Sequence, residues 1–278
     1  MRNALIALVV LVSLSVAGAA SAGAIFLTGH DPDFHAFVGG NAAGAQNINN
    51  AAIDFILDSA FNPFTGNTTM DFLFVESFIS PPGGHVNGVN GIVASGYASG
   101  TDFEHHDAST LDAELDLLGT KYAGIVVASD FGGVLTQDEL DILNARSADI
   151  IAFLNAGGGL YAMAESNSQA ALTPDGGHFG FLPFIVTSAQ LNQSEIGYTV
   201  TPFGASLGLS NSDINNNASH NIFSGTPLGL SIVDVDALGN TMSLAGRPTN
   251  IPNVPEPNSL ALLVGALAGL CGMRRRRS

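Results

Sequence analysis

The chain has 278 residues, a formal net charge of −16, one cysteine and no tryptophan. Its 24 acids face only 8 bases, so the fold repels polyanions and nucleic acid is excluded as a partner. One cysteine permits no internal disulfide, so stability must come from a packed core.

The start reads as an export signal. Met1-Arg2-Asn3 is a short basic opening, Ala4 to Ala20 is apolar, and Ala20-Ser21-Ala22 is an A-x-A cleavage site. This predicts a secretory signal peptide over residues 1–22, cut by signal peptidase before Gly23. Between residues 23 and 253 only Lys121, Arg146 and Arg247 are basic, against 23 acids, so this part carries −20. The sole cysteine, Cys271, lies beyond it. A segment of this size buries a substantial core without staples. One domain over residues 23–246 is expected, with no repeat at a period of about 20–50 residues.

Ala24 to Thr28 is a continuous apolar run that predicts a buried first strand. Gln46 to Phe61 carries apolar residues at helical spacing. Phe72 to Val75 is a second buried strand, and residues 81–100, rich in Gly, Pro, Asn and Ser, predict a long loop. Thr110 to Leu118 predicts a short helix, and Tyr122 to Ala128 a third strand. Thr136 and Glu139 form a capping-box pattern that opens a helix running to Leu154, stopped by Gly157-Gly158-Gly159. Leu160 to Ala164 is a fourth strand and Phe181 to Val186 a fifth. Strand–helix alternation at this spacing predicts an α/β fold, a mostly parallel sheet with helices on both faces. The last third reads differently. Tyr198 to Phe203 and Ser231 to Ala245 predict extra β strands, the second a hairpin turning at Ala237 to Asn240.

In such sheets the site lies beyond the carboxyl ends of the strands. That places His30, Asp31, Asp33 and His35 after strand one, and Glu76 and Ser77 after strand two. Asp130 follows strand three; Glu165 and Ser166 follow strand four. His30, Asp31, Asp33 and His35 form the densest cluster and are the candidate metal ligands, since His and Asp suit zinc or another transition metal. His105-His106-Asp107 would complete such a site if its loop folds over. An Asp–Pro turn with capping carboxylates is the plainer reading of the same residues. A divalent cation is the one cofactor the sequence suggests. Asp130, Glu165 and Ser166 are the candidate catalytic residues, with His178 or His220 as a partner for Ser166. The G-x-S-x-G motif of a nucleophile elbow is absent, and Glu165 and Ser166 read more simply as polar strand-end residues. Residues 211–217 (NSDINNN) and Asp234-Val235-Asp236 offer oxygen ligands but match no calcium loop and read as turns.

The strand order, the three-glycine entry to strand four and Ser219-His220-Asn221-Ile222-Phe223 resemble the class I glutamine amidotransferase-like fold, close to a flavodoxin-like sheet. In active members of that family the elbow residue is Cys. Here the corresponding stretch is Ala164-Glu165-Ser166, so the resemblance implies no thiolate chemistry and no inherited role for His220.

Residues 247–258 hold four prolines and read as an extended stalk. Pro255, Glu256 and Pro257 precede an uncharged apolar run, Ser259 to Met273, and Arg274, Arg275, Arg276 and Arg277 close the chain before Ser278. As a helix the run spans roughly 22 Å, short of a full bilayer core. The arginines favour the cytoplasmic side, leaving the domain outside. This order resembles the PEP-CTERM sorting tail of some Gram-negative bacteria. The resemblance implies an exosortase-type processing enzyme as partner and transient anchoring of residues 259–278 in the inner membrane. Release to the outer surface or the extracellular matrix follows. The expected function is that of an exported surface or matrix protein with a non-catalytic binding or structural core, meeting extracellular polysaccharide. An extracellular hydrolase, metal-dependent or not, is the alternative.

Overall fold

The computed structural model describes residues 23–81, 83, 85–130, 134–165, 179–182, 184–191 and 196–248. The expected signal peptide, Ser166, His178, the rest of the stalk and the sorting tail lie outside the described residues. Among the described residues no helix is long and apolar enough to cross a membrane.

The protein is α/β, and its described residues build one mixed ten-stranded sheet. Strands β1 (Ile25–Thr28), β2 (Met70–Val75), β4 (Tyr122–Val127) and β5 (Gly159–Ala162) are the continuous apolar runs of the sequence. All of β1, β4 and β5 is buried, as strands covered on both sides must be. With β3 (Phe103–His106) they form a parallel block in the order β3-β2-β4-β5-β1. Beyond β1 the sheet turns antiparallel. β10 (Thr241–Gly246) pairs with β1, with Ile25 opposite Gly246 and Thr28 opposite Ser243. β9 (Ser231–Val235) pairs with β10 as the expected hairpin, β8 (Asn221–Ser224) meets β10 at Thr241, and β6 (Thr187–Gln190) closes that edge.

The helices pack in two groups. One holds α1 (Pro32–His35), α2 (Ala42–Ile56) and α3 (Val89–Ala94); the other holds α4 (Leu111–Leu115), α5 (Gln137–Ala145) and α6 (Ser147–Asn155). Crossovers from β1 to β2 to β3 run one way along the sheet and those from β3 to β4 to β5 run back, so right-handed connections separate the groups.

Several elements depart from expectation for identifiable reasons. Helix α2 starts four residues early, because the Asn41 side chain accepts from Gly44 N–H, and it ends at Ile56, whose carbonyl binds Asn62 Nδ2 at 3.0 Å. The expected loop 81–100 contains α3. Its first amides donate to Glu76, a cap supplied from another strand and therefore invisible locally. The long helix after Thr136 breaks at Arg146, whose guanidinium gathers Asp112, Asp116 and Asp149. Phe181 to Val186 is not a strand. Phe179 to Leu182 form a turn whose rings enter the core, and the strand comes later, at β6. Proline at position 183 interrupts that run and cannot donate to a ladder. Of Tyr198 to Phe203 only β7 (Thr199–Val200) is extended; Thr201 then caps α7 (Pro202–Ser206) by accepting from Gly204 N–H.

Candidate functional site

The parallel strands end on buried acids. Asp31 and Asp33 follow β1, Glu76 follows β2, Asp130 follows β4 and Glu165 follows β5, each at most 2 % exposed. A fifth segment joins them from late in the chain. Gly29, just past β1, donates to Met242 O and accepts from His220 N–H at 2.7 Å. A Cβ on Gly29 would lie 2.0 Å from Asn221 O, so this approach requires glycine. It brings Ser219, His220 and Asn221 onto the carboxyl edge, and Asn221 Oδ1 accepts from Glu165 N–H at 3.0 Å.

Asp33 is a structural clasp. It accepts from Ser129 N–H (2.8 Å), Ser129 Oγ–H (2.7 Å) and Phe34 N–H (3.0 Å), tying α1 to the end of β4. Burial, with Asp31 nearby, pushes its carboxyl up to about 6. Burial, aided by Asp33, likewise holds Glu76 well above the carboxylate range against the Gly88 and Val89 amides. Glu165 is pushed up to about 8 by burial, opposed by the Phe179 N–H that donates to Oε2 and reinforced by Asp130. Its Oε1 accepts no hydrogen bond.

The histidines divide. His30 turns away from the edge: Nε2 lies 2.7 Å from Asp234 Oδ2 and Nδ1 2.5 Å from Ser219 Oγ, with the ring edge-on to Tyr198. His35 Nε2 lies 3.4 Å from Asp31 Oδ1 and His220 Nε2 lies 3.2 Å from Asp31 Oδ2. Burial alone would lower the His220 imidazole, but the Asp31 carboxylate outweighs it and raises it. His30, Asp31, Asp33 and His35 therefore do not converge on one point. Asp31 and His35 come together, and their third neighbour is His220.

His105 and His106 separate because successive strand residues face opposite sides. His105 Nε2 donates to Glu76 O at 3.1 Å, and burial drives its imidazole down to about 4. His106 joins Glu104 and Glu114. Among the described residues these three are the set whose donor atoms all lie within 4.8 Å of one another. Lys121 already serves that set, with Nζ at 2.7 Å from Glu104 and 2.9 Å from Glu114. Asp107 caps its own turn through Ser109. Asp213 opens α8 (Asn211–Ile214) as a capping box and Asp236 closes the β9–β10 turn, the roles expected of turn residues. Asp234, expected in a turn beside Asp236, instead lies buried in β9 and pairs with His30; Ser129 has no motif, and only pairing across the sheet shows its role.

Comparison with protein-family models, curated proteins and solved structures finds no match to this chain.

Proposed function

We propose that the chain is an exported envelope protein, passed through a PEP-CTERM-type tail to an exosortase-type enzyme. Its α/β domain binds a component of the extracellular polymer at the carboxyl edge of the sheet. One observation carries the binding reading. Five carboxyl groups from four strand ends are buried together at one edge beside His220 and the half-buried His35, and among the described residues no Lys or Arg pairs with them. Lys121, Arg146 and Arg247 pair elsewhere. Buried charge is expensive, and perturbed carboxyls gather where a fold has a use for them. The segments leaving β1 and β2 also expose Phe37, Phe78 and Ile79, giving apolar surface beside the acids.

The tail agrees with this geometry. Gly23 and Arg247 flank the paired ends Ile25 and Gly246, so both leave the sheet at its amino edge, opposite the acids. A domain tethered there presents the carboxyl edge outward. Deleting residues 254–278 is expected to abolish surface display, and unchanged display with unchanged processing contradicts the sorting claim. Retardation of the full chain in gels containing the extracellular polysaccharide tests the binding claim.

The hydrolase reading rests on a separate observation. Glu165 keeps its proton to about pH 8 beside Asp130, and a carboxyl held protonated at neutral pH is what a general acid needs. Turnover of an ester or glycoside panel that Glu165→Gln abolishes would establish it. The amidotransferase-like resemblance rests on the three-glycine entry to β5 and on residues 219–223, and carries no thiol chemistry here.

A further inference from the structure

Two aspartates share the turn after β1, and the fold treats them differently. Asp33 is locked by the Ser129 and Phe34 amides and by the Ser129 hydroxyl. Asp31 is equally buried, yet its carboxylate takes no backbone amide. It is ion-paired with two imidazoles instead, His220 Nε2 at 3.2 Å from Oδ2 and His35 Nε2 at 3.4 Å from Oδ1. Asp31 also precedes Pro32, and the carbonyl oxygen of that peptide bond accepts from Phe34 N–H at 3.1 Å and His35 N–H at 3.2 Å. A side-chain nucleophile, a carbonyl polarised by two donors and a proton-carrying ring surround one peptide bond.

We propose that the chain cleaves its own Asp31–Pro32 bond, with the Asp31 carboxylate as nucleophile and His220 as general acid. The inference goes beyond the binding reading of that edge and stands without it. An Asp31 side-chain oxygen attacks its own main-chain carbonyl carbon and closes a five-membered cyclic anhydride. The C–N bond breaks and its electron pair passes to the Pro32 nitrogen. That nitrogen takes the His220 proton and leaves as a secondary amine. Water then opens the anhydride, returning Asp31 with both a side-chain and a main-chain carboxyl. Each group suits its part. Attack within one residue has an effective concentration on the order of 10⁵ M or more. The Phe34 and His35 amides receive the charge that gathers on the carbonyl oxygen. Burial lowers the His220 imidazole, and Asp31 raises it by more, which keeps the proton on the ring. The Pro32 nitrogen carries an extra alkyl carbon, so it is more basic than other amide nitrogens and takes that proton more readily. The Asp33–Phe34 bond offers no such leaving group, and the Asp33 oxygens are held fast. The cut chain keeps its sheet, because β1 is paired with β5 on one side and β10 on the other. Cleavage therefore shows only after denaturation.

The test incubates the purified full chain in mild detergent at neutral pH, in ordinary water and in water enriched in ¹⁸O, and reads it by denaturing mass spectrometry. A fragment beginning at Pro32 should accumulate at a rate independent of protein concentration. The same chain held unfolded in urea should cut at least about tenfold more slowly, since only the fold brings His220 to Asp31. One heavy oxygen should be divided between the two carboxyls of Asp31, because water can open either anhydride carbonyl. A contaminating protease would label the main-chain carboxyl alone. His220→Gln should slow the cut by about a hundredfold while unfolding stays cooperative, the share a general acid commonly contributes. Absence of the Pro32 fragment, equal cutting in urea, label in the main-chain carboxyl only, or an unchanged rate in folded His220→Gln each overturns the inference. If His220→Gln does not fold, the urea and isotope measurements decide it.

Discussion

At the scale of single residues, the buried acids set a direction for stability against pH. Glu165 has a folded value near 8 against 4.5 in an exposed chain. The folded state therefore holds an extra proton between those values. The stability this provides is complete below pH 4.5 and is lost as pH rises through 8. His105, lowered from 6.5 to about 4, acts in the opposite sense but only below 6.5. Thermal unfolding should thus move to lower temperature between pH 6.5 and 9. Glu165→Gln should flatten that slope by up to about 1.4 kcal/mol per pH unit. A slope that Glu165→Gln leaves unaltered contradicts the assignment. Gly91 is the second residue with a sharp consequence. A Cβ there would lie 1.8 Å from Asp33 O, so only glycine lets α3 rest on the turn carrying the acids. Gly91→Ala should cost roughly 1–3 kcal/mol in denaturant unfolding, as overpacking does. Asp31, Asp33, His35 and Glu165 were legible in the sequence as strand-end residues. Their partners were not: Ser129 lies 96 positions from Asp33, and Asp234 lies 204 from His30.

At the scale of elements, capping explains both what could be read and what could not. Thr136 and Glu139 sit three apart, so the start of α5 was visible. In the fold Glu139 accepts from Thr136 N–H at 2.9 Å, from the Thr136 hydroxyl, and from Ala108 N–H at 3.0 Å, joining α5 to the turn before α4. Glu139→Ala strands two backbone donors and should cost about 1–3 kcal/mol, more than Thr136→Ala, which leaves them bonded. Equal losses in calorimetry would show that the link to Ala108 contributes nothing. Helix α3 escaped sequence reading because its cap, Glu76, belongs to another strand's end. Strand β3 escaped because only its first residue, Phe103, is buried, leaving no apolar pattern. The buried runs of β1, β4 and β5 needed no partner to be recognised.

At the scale of the molecule, the sheet has two poles. The amino pole receives both ends of the domain, where Arg247 lies over the rings of Phe55 and Phe61, 4.2 and 4.0 Å from their centroids, and bonds Asp58 at 3.0 Å. Arg247→Ala should cost roughly 1 kcal/mol and loosen that pole without touching ligand binding. The carboxyl pole gathers the acids and His220. Amide hydrogen exchange on the full chain, with and without the extracellular polysaccharide, tests the central claim most directly. Protection confined to residues 29–36, 76–78, 128–130, 163–165 and 218–221 is the predicted result. Protection centred on Phe55, Phe61 and Arg247, or none at all, contradicts it.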